Sequence, residues 1–203
     1  MSSNDKNQVL SLYKSWLIDS FLFTGVGLAL GKFISPSLFI FVAIASIILC
    51  LIVSFSRGKL KLYSMFAFNA VMGIDLYYIL MQYAANDILT AGLITVLTTM
   101  VCVYVATRPG KDFSGWGIYL FIALLGTLIY ELIAFFIHLP SINGIFVALF
   151  AFYTVYDVNL FKNRLEYNEY MSDEEIVMHV INFYLDIFNL FIRILSIVAK
   201  RDD

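Results

Sequence analysis

The sequence predicts an all-α polytopic membrane protein of seven transmembrane helices, and three observations carry that prediction. Of the 203 residues, 61% are hydrophobic and 14% are charged, with a mean hydropathy of +0.86. That is too apolar for one or two soluble domains of this length. Windows of about 19 residues divide the chain into seven apolar stretches, each near the ~20 residues that a helix needs to cross a bilayer. All three prolines, Pro36, Pro109 and Pro140, fall in the joints between stretches, where a missing backbone N–H does least harm. Seven spans use residues 1–203 as a single transmembrane domain and leave no length for a separate soluble catalytic domain, so no enzyme is expected.

The stretches are Ser15–Phe33, Ser37–Phe55, Leu62–Ala84, Ile88–Thr107, Trp116–Leu139, Ile142–Phe161 and Val180–Ala199. The first begins only after a short N-terminal segment, residues 1–14, and no small-residue cleavage pattern follows it. It therefore reads as a retained helix rather than a removable signal peptide. Within it Gly27 and Gly31 are four apart and allow another helix close approach, a packing role. Before the last stretch, residues 162–178 form an acidic joint carrying Glu166, Glu169, Asp173, Glu174 and Glu175. Its Ser172-Asp-Glu-Glu175 reads as a capping box that opens the final helix.

Basic residues orient the chain. With the N-terminus inside, the inner joints hold Lys6, Lys14, Arg57, Lys59, Lys61, Arg108, Lys111, Lys162 and Arg164, and the outer side holds Lys32, Lys200 and Arg201. The positive-inside rule favours that arrangement, with the C-terminus outside. Trp16 and Trp116 then both begin spans at the inner interface, a common site for an indole. Thirteen basic against 15 acidic residues give no basic footprint for nucleic acid. Cys50 and Cys102, each inside an apolar run, build neither a disulfide framework nor a zinc site and read as packing residues.

Charged residues inside the apolar stretches carry the functional reading. Asp19, Asp75, Glu131, Asp157, Asp186 and Arg193 all lie there, and a charge at the bilayer centre costs about 2.5–3.5 kcal/mol on the translocon scale. Asp157 precedes Lys162 by five residues and Asp186 follows His179 by seven. At 1.5 Å per residue both sit about 8–10 Å from the inner end of their spans. Level carboxyls on consecutive antiparallel helices can meet, and in a poorly hydrated site they cannot comfortably both ionise. The expectation is a proton-sensitive latch.

Arg57, at the inner end of the second span, either reaches that pair or anchors the interface. Asp186, Asn189 and Arg193 share one face of the last helix, a polar stripe that belongs inside a bundle or glues helices together. Asp75 and Glu131 lie about 20 Å from the inner face. They either line an outer mouth that attracts cations or bond locally to Tyr77, Tyr78 or Tyr130. Asp19, near the inner interface, is expected to reach water. Oxygen ligands suit calcium, and the histidine and cysteine clusters that softer metals require are missing. Weak oxygen sites inside a bundle suit ion passage better than tight storage; Asp157 and Asp186 are the candidate calcium contacts, Ca2+ is the candidate transported ion and no tightly bound cofactor is expected.

Two segments carry a resemblance to a known family. FAFYTVYDVNLFKNRL, residues 150–165, and HVINFYLDIFNLFIRIL, residues 179–195, resemble the sixth and seventh helices of the transmembrane Bax inhibitor motif family, particularly its bacterial calcium-leak members. GLALGKF in the first span and IVSFSR at the end of the second extend the likeness over nearly the whole chain. The resemblance implies a bundle whose central seventh helix is surrounded by six others, conducting calcium passively. It maps the paired aspartates onto Asp157 and Asp186 and their arginine partner onto Arg57, as a pH-sensing gate whose opening accompanies displacement of the second helix. It also implies the plasma membrane of a bacterium, with lipids, calcium and protons as partners, no nucleic acid, and a monomer as a compatible assembly. An acidic residue of bacterial relatives in the second span corresponds here to Ser46, while Asp75 and Glu131 stand where neutral residues are expected.

Rival readings are a proton-coupled calcium exchanger, an intramembrane aspartyl protease and a scaffold. The protease would place Gly-x-Gly before its second aspartate, where this chain has Phe183-Tyr184-Leu185, and no Pro-Ala-Leu follows.

Overall fold

The computed structural model describes residues 3–167 and 170–199. Glu169, Lys200 and Arg201, used above for the acidic joint and the orientation, lie outside the described residues. Seven α-helices follow in order: α1 Ser3–Gly31, α2 Phe39–Phe55, α3 Lys59–Leu80, α4 Ala85–Ala106, α5 Gly117–Ile137, α6 Asn143–Glu166 and α7 Asp173–Val198. Single 3-10 turns at Pro36–Leu38 and Ser114–Trp116 lead into α2 and α5. Among the described residues there is no strand.

The helix ends follow local chemistry. Pro36 opens its 3-10 turn after an extended Ser35, as a residue with a fixed φ and no N–H does at a helix start. Pro109 and Pro140 lie in joints. At the start of α7, the Ser172 N–H donates to Glu175 Oε2 at 3.0 Å and the Glu175 N–H donates back to Ser172 Oγ at 3.3 Å, the reciprocal bonds of a capping box. The helices run past the apolar stretches where polar residues continue their pattern. α1 starts at Ser3, α6 continues to Glu166 and α7 starts at Asp173, so both ends of the 162–178 segment are helical.

Among the described residues, six helical segments are long and apolar enough to cross a membrane: those containing α2, α3, α4, α5, α6 and α7. The chain is accordingly a multi-pass membrane protein. α1 is not among the six; its 29 residues include Asp5, Lys6, Lys14 and Asp19, which dilute the apolar part.

The distribution of side chains is inverted relative to a water-soluble fold. On α2 the buried residues are Ser46 and Val53, while Ile40, Phe41 and Ile47 are 63–64% exposed. Ser20, Asn69, Thr154 and Asn159 are fully buried. An apolar exterior around polar interior groups is stable only in an apolar solvent, where every polar group needs an internal partner.

Two compact units make up the chain. One holds α1, α2, α3 and α7 up to Tyr184; the other holds α4, α5, α6 and α7 from Leu185 onward. In the first, α3 packs on α1 and α2. A Cβ on Gly27 would overlap the Ala70 carbonyl, and one on Gly73 would overlap the Thr24 carbonyl, so both glycines are needed for the backbones to approach this closely. Tyr184 is fully buried there, with its hydroxyl 2.8 Å from Thr24 Oγ1. In the second unit, α6 packs on α4 and α5, and Cys102, Ala106 and Val155 form part of its core.

Candidate functional site

Asp157 lies on α6 between Tyr156 and Val158, and Asp186 on α7 between Leu185 and Ile187. Both belong to the second unit and are only 6% and 5% exposed. Their carboxyl groups lie close enough to hydrogen-bond to each other. Such a bond would need a proton on one of them, because an ionised carboxylate is acceptor only. Asp186 Oδ2 is buried with no partner among the described residues. Tyr153, one turn before Asp157, lies within electrostatic range of both carboxyls, and Cys102 of α4 within range of Asp186.

The α6 side of this site is anchored by asparagine side chains. Asn159 Nδ2 donates to the carbonyls of Ala106 at 2.9 Å and Lys111 at 3.0 Å, while its Oδ1 accepts from the Phe113 N–H at 2.8 Å. Asn163 Nδ2 donates to Asn159 Oδ1 and to Asp112 Oδ1. These bonds fasten α6 to the end of α4 and to the joint before α5, just beyond Asp157. Asp112 lies outside the spans. The Ser114 N–H and hydroxyl, then the Asn163 amide and the Lys162 ammonium, hold its carboxyl below the ordinary value of 3.8.

The other predicted residues are distributed as follows. Arg57 is exposed in the joint between α2 and α3 and belongs to the first unit. In that same unit the next residue, Gly58, donates its N–H to Glu174 Oε1 at 2.6 Å. Asp19 is half-buried. Asn189 Nδ2 donates to the Leu185 carbonyl within its own helix. Arg193 Nη1 donates to Glu131 Oε1 at 3.3 Å and to Asn143 Oδ1 at 2.9 Å, and its guanidinium carbon lies 3.8 Å from the centre of the Phe146 ring. Ser141 Oγ also donates to Glu131 Oε1. Asp75 accepts from Ser46 Oγ at 2.8 Å, while its Oδ1 is buried without a partner among the described residues. Tyr78 and Tyr130 donate to the backbone carbonyls of Ile34 and Pro140.

Sequence reasoning passed over Asn159, Asn163 and Asn143. The signal was present: Asn159 and Asn163 stand one turn apart in an apolar helix, where an amide needs a partner. Among the described residues no three His, Cys, Asp or Glu side chains cluster as a resident metal would require.

A helical chain with an apolar exterior and a pair of carboxyls buried inside two of its candidate spans belongs to the class of polytopic membrane proteins. Comparison with known proteins sharpens that class. A family model described as inhibitor of apoptosis-promoting Bax1 matches residues 6–203, and the chain belongs to this Bax inhibitor-1 family. It is 33% identical over 172 residues to an uncharacterized protein of Helicobacter pylori strain J99, covering 79% of this chain and 71% of that one. It is 34% identical over 118 residues to Protein LIFEGUARD 1 of Arabidopsis thaliana, covering 56% and 47%. With Bax inhibitor 1 of Schizosaccharomyces pombe the identity is 33% over 141 residues, covering 66% and 50%. The matches thus span about half the length of the plant and yeast relatives.

Proposed function

We propose that this chain is a pH-sensitive passive calcium leak of a bacterial plasma membrane, closed by the Asp157–Asp186 latch. The observation that supports the reading most is the close approach of two carboxyls buried within α6 and α7. While one proton is shared, the pair carries a single negative charge and joins the two helices. When that proton leaves, two carboxylates stand side by side in a poorly hydrated site and repel, so the latch weakens as pH rises. A divalent cation can then replace the proton, because oxygen donors suit calcium, and it moves on because two carboxylates with weak supporting ligands do not hold it tightly.

In this reading α1 completes seven spans, α7 is the central helix, the N-terminus is cytoplasmic and the C-terminus is outside. Arg57 stands at the position of the family's arginine partner and is proposed to contribute to the pH response. Asn189, Arg193, Asp75 and Glu131 shape the polar path, and the chain acts without enzymatic chemistry or a tightly bound cofactor.

The test is calcium uptake into liposomes containing the purified chain, stepped from acidic to mildly basic pH. Wild-type uptake is expected to change with pH, and Asp157→Asn and Asp186→Asn to flatten or displace that response. Wild-type pH response in both variants would refute the latch. Uphill calcium movement driven by an imposed pH gradient alone would replace the leak with an exchanger.

A further inference from the structure

At the end of α1 the chain folds a short joint over the end of α3, and three restraints hold it there. Gly31 admits Tyr77 against α1, since a Cβ on Gly31 would stand 2.5 Å from Tyr77 Cβ. Tyr78 donates to the carbonyls of Ile34 at 2.7 Å and Ser35 at 3.2 Å. Pro36 then fixes the turn into α2.

The restrained joint leaves a cavity of about 430 Å³ wholly within the first unit. Ile34, Pro36, Phe39 and Met81 give it apolar walls, and the two tyrosines and Gln82 contribute polar atoms. Among the described residues lining it, Lys32 is the one charged side chain, and no carboxylate opposes it. Lys32 is exposed, with Nζ 4.8 Å from the centre of the Phe33 ring. Gln82 Nε2 donates to the Tyr78 carbonyl at 3.2 Å and keeps a second N–H.

The level of the cavity in the membrane follows from its walls. The last turn of α1, the first of α2 and the last of α3 meet there, so it stands where two apolar spans end and lipid headgroups begin. A cation, a spare amide donor and two tyrosines at headgroup level, continuous with apolar side chains reaching into the span, match one kind of ligand: an anion attached to hydrocarbon. We infer that this cavity binds an anionic phospholipid, with the phosphodiester at Lys32 and the acyl chains along Phe39 and Met81. A free phosphate would use the cation and leave the apolar walls idle; a zwitterionic lipid would place a second cation beside Lys32.

The experiment takes the full chain, stripped of lipid in detergent, and titrates it with phosphatidylglycerol, phosphatidylcholine or glycerol 3-phosphate, counting bound molecules by native mass spectrometry. Phosphatidylglycerol is expected to bind saturably and more tightly than phosphatidylcholine, with glycerol 3-phosphate failing to compete. Lys32→Ala is expected to weaken phosphatidylglycerol binding about fivefold, the effect of one interfacial lysine, and Lys32→Arg to retain it. Lys59→Ala, at an exposed lysine in the same unit, is expected to leave it unchanged. Equal binding of both lipids, competition by glycerol 3-phosphate, undiminished binding in Lys32→Ala or an equal loss in Lys59→Ala would each overturn the proposal.

Discussion

Arg193 of α7 donates to Glu131 of α5 across 3.3 Å, so that two charges which stand alone in the sequence form one pair inside the spans. The side chains remain about a quarter exposed, at 26% and 27%. Asn143 and the face of Phe146 complete the surroundings of the guanidinium. Coulomb attraction, a neutral hydrogen bond and a cation–π contact together offset the cost of placing arginine there.

This pairing predicts that Glu131→Ala destabilises the chain by about 1–3 kcal/mol, because it strips a half-buried cation of its counter-charge. Glu131→Gln, which retains an acceptor oxygen, is expected to lose less. Thermal unfolding of the detergent-solubilised variants measures both, and equal stability of wild type and Glu131→Ala would show that the pair contributes nothing.

A second prediction concerns Ser46, whose single hydroxyl proton lies between two acceptors, Asp75 Oδ2 at 2.8 Å and the Ala43 carbonyl at 2.9 Å. Asp75 Oδ1 already lacks a partner among the described residues. Ser46→Ala removes the partner of Oδ2 and is expected to lower stability by about 1–3 kcal/mol, whereas Ser46→Thr, which keeps the hydroxyl, loses less. Unfolding curves that rank the two variants in the opposite order would place the stabilisation elsewhere.

The Asp112 carboxyl provides a control for pH effects. Its bonds to Ser114 and Asn163, with the nearby charge of Lys162, hold it below the ordinary value of 3.8 in the folded chain. A group with a depressed folded pKa adds stability that is present above its unfolded pKa of about 4 and lost as pH falls through the folded value. Near neutrality Asp112 is ionised in both states, so Asp112→Asn is expected to leave any flux response around neutral pH in place. A displaced response in liposomes would make the joint between α4 and α5 a sensor in its own right.

Much of this architecture is legible in the sequence because membrane insertion acts on length and polarity, both one-dimensional properties. The prolines mark joints, the capping box opens α7, and counting residues from the inner ends places Asp157 and Asp186 at one depth. The same count puts Glu131 about 20 Å from the inner face, and Arg193, seven residues beyond Asp186, at that level too. Depth alone does not say which face of α5 turns toward α7, so the ion pair needed coordinates. Asn159 was hidden for a related reason: its amide bonds to backbone carbonyls of Ala106 and Lys111, which leave no mark in residue identity. The full lengths of α1 and α7 were also obscured, because their polar first turns extend beyond the apolar windows used to find spans.

The proton proposed to be shared by Asp157 and Asp186 is most directly accessible to infrared spectroscopy of the chain in lipid, through the carbonyl stretch of a protonated carboxyl. In wild type that band is expected to fade with rising pH in step with the change in calcium flux, and the titrating component to disappear in both Asp157→Asn and Asp186→Asn. A band that titrates identically in wild type and in both variants would contradict a proton held between these two side chains.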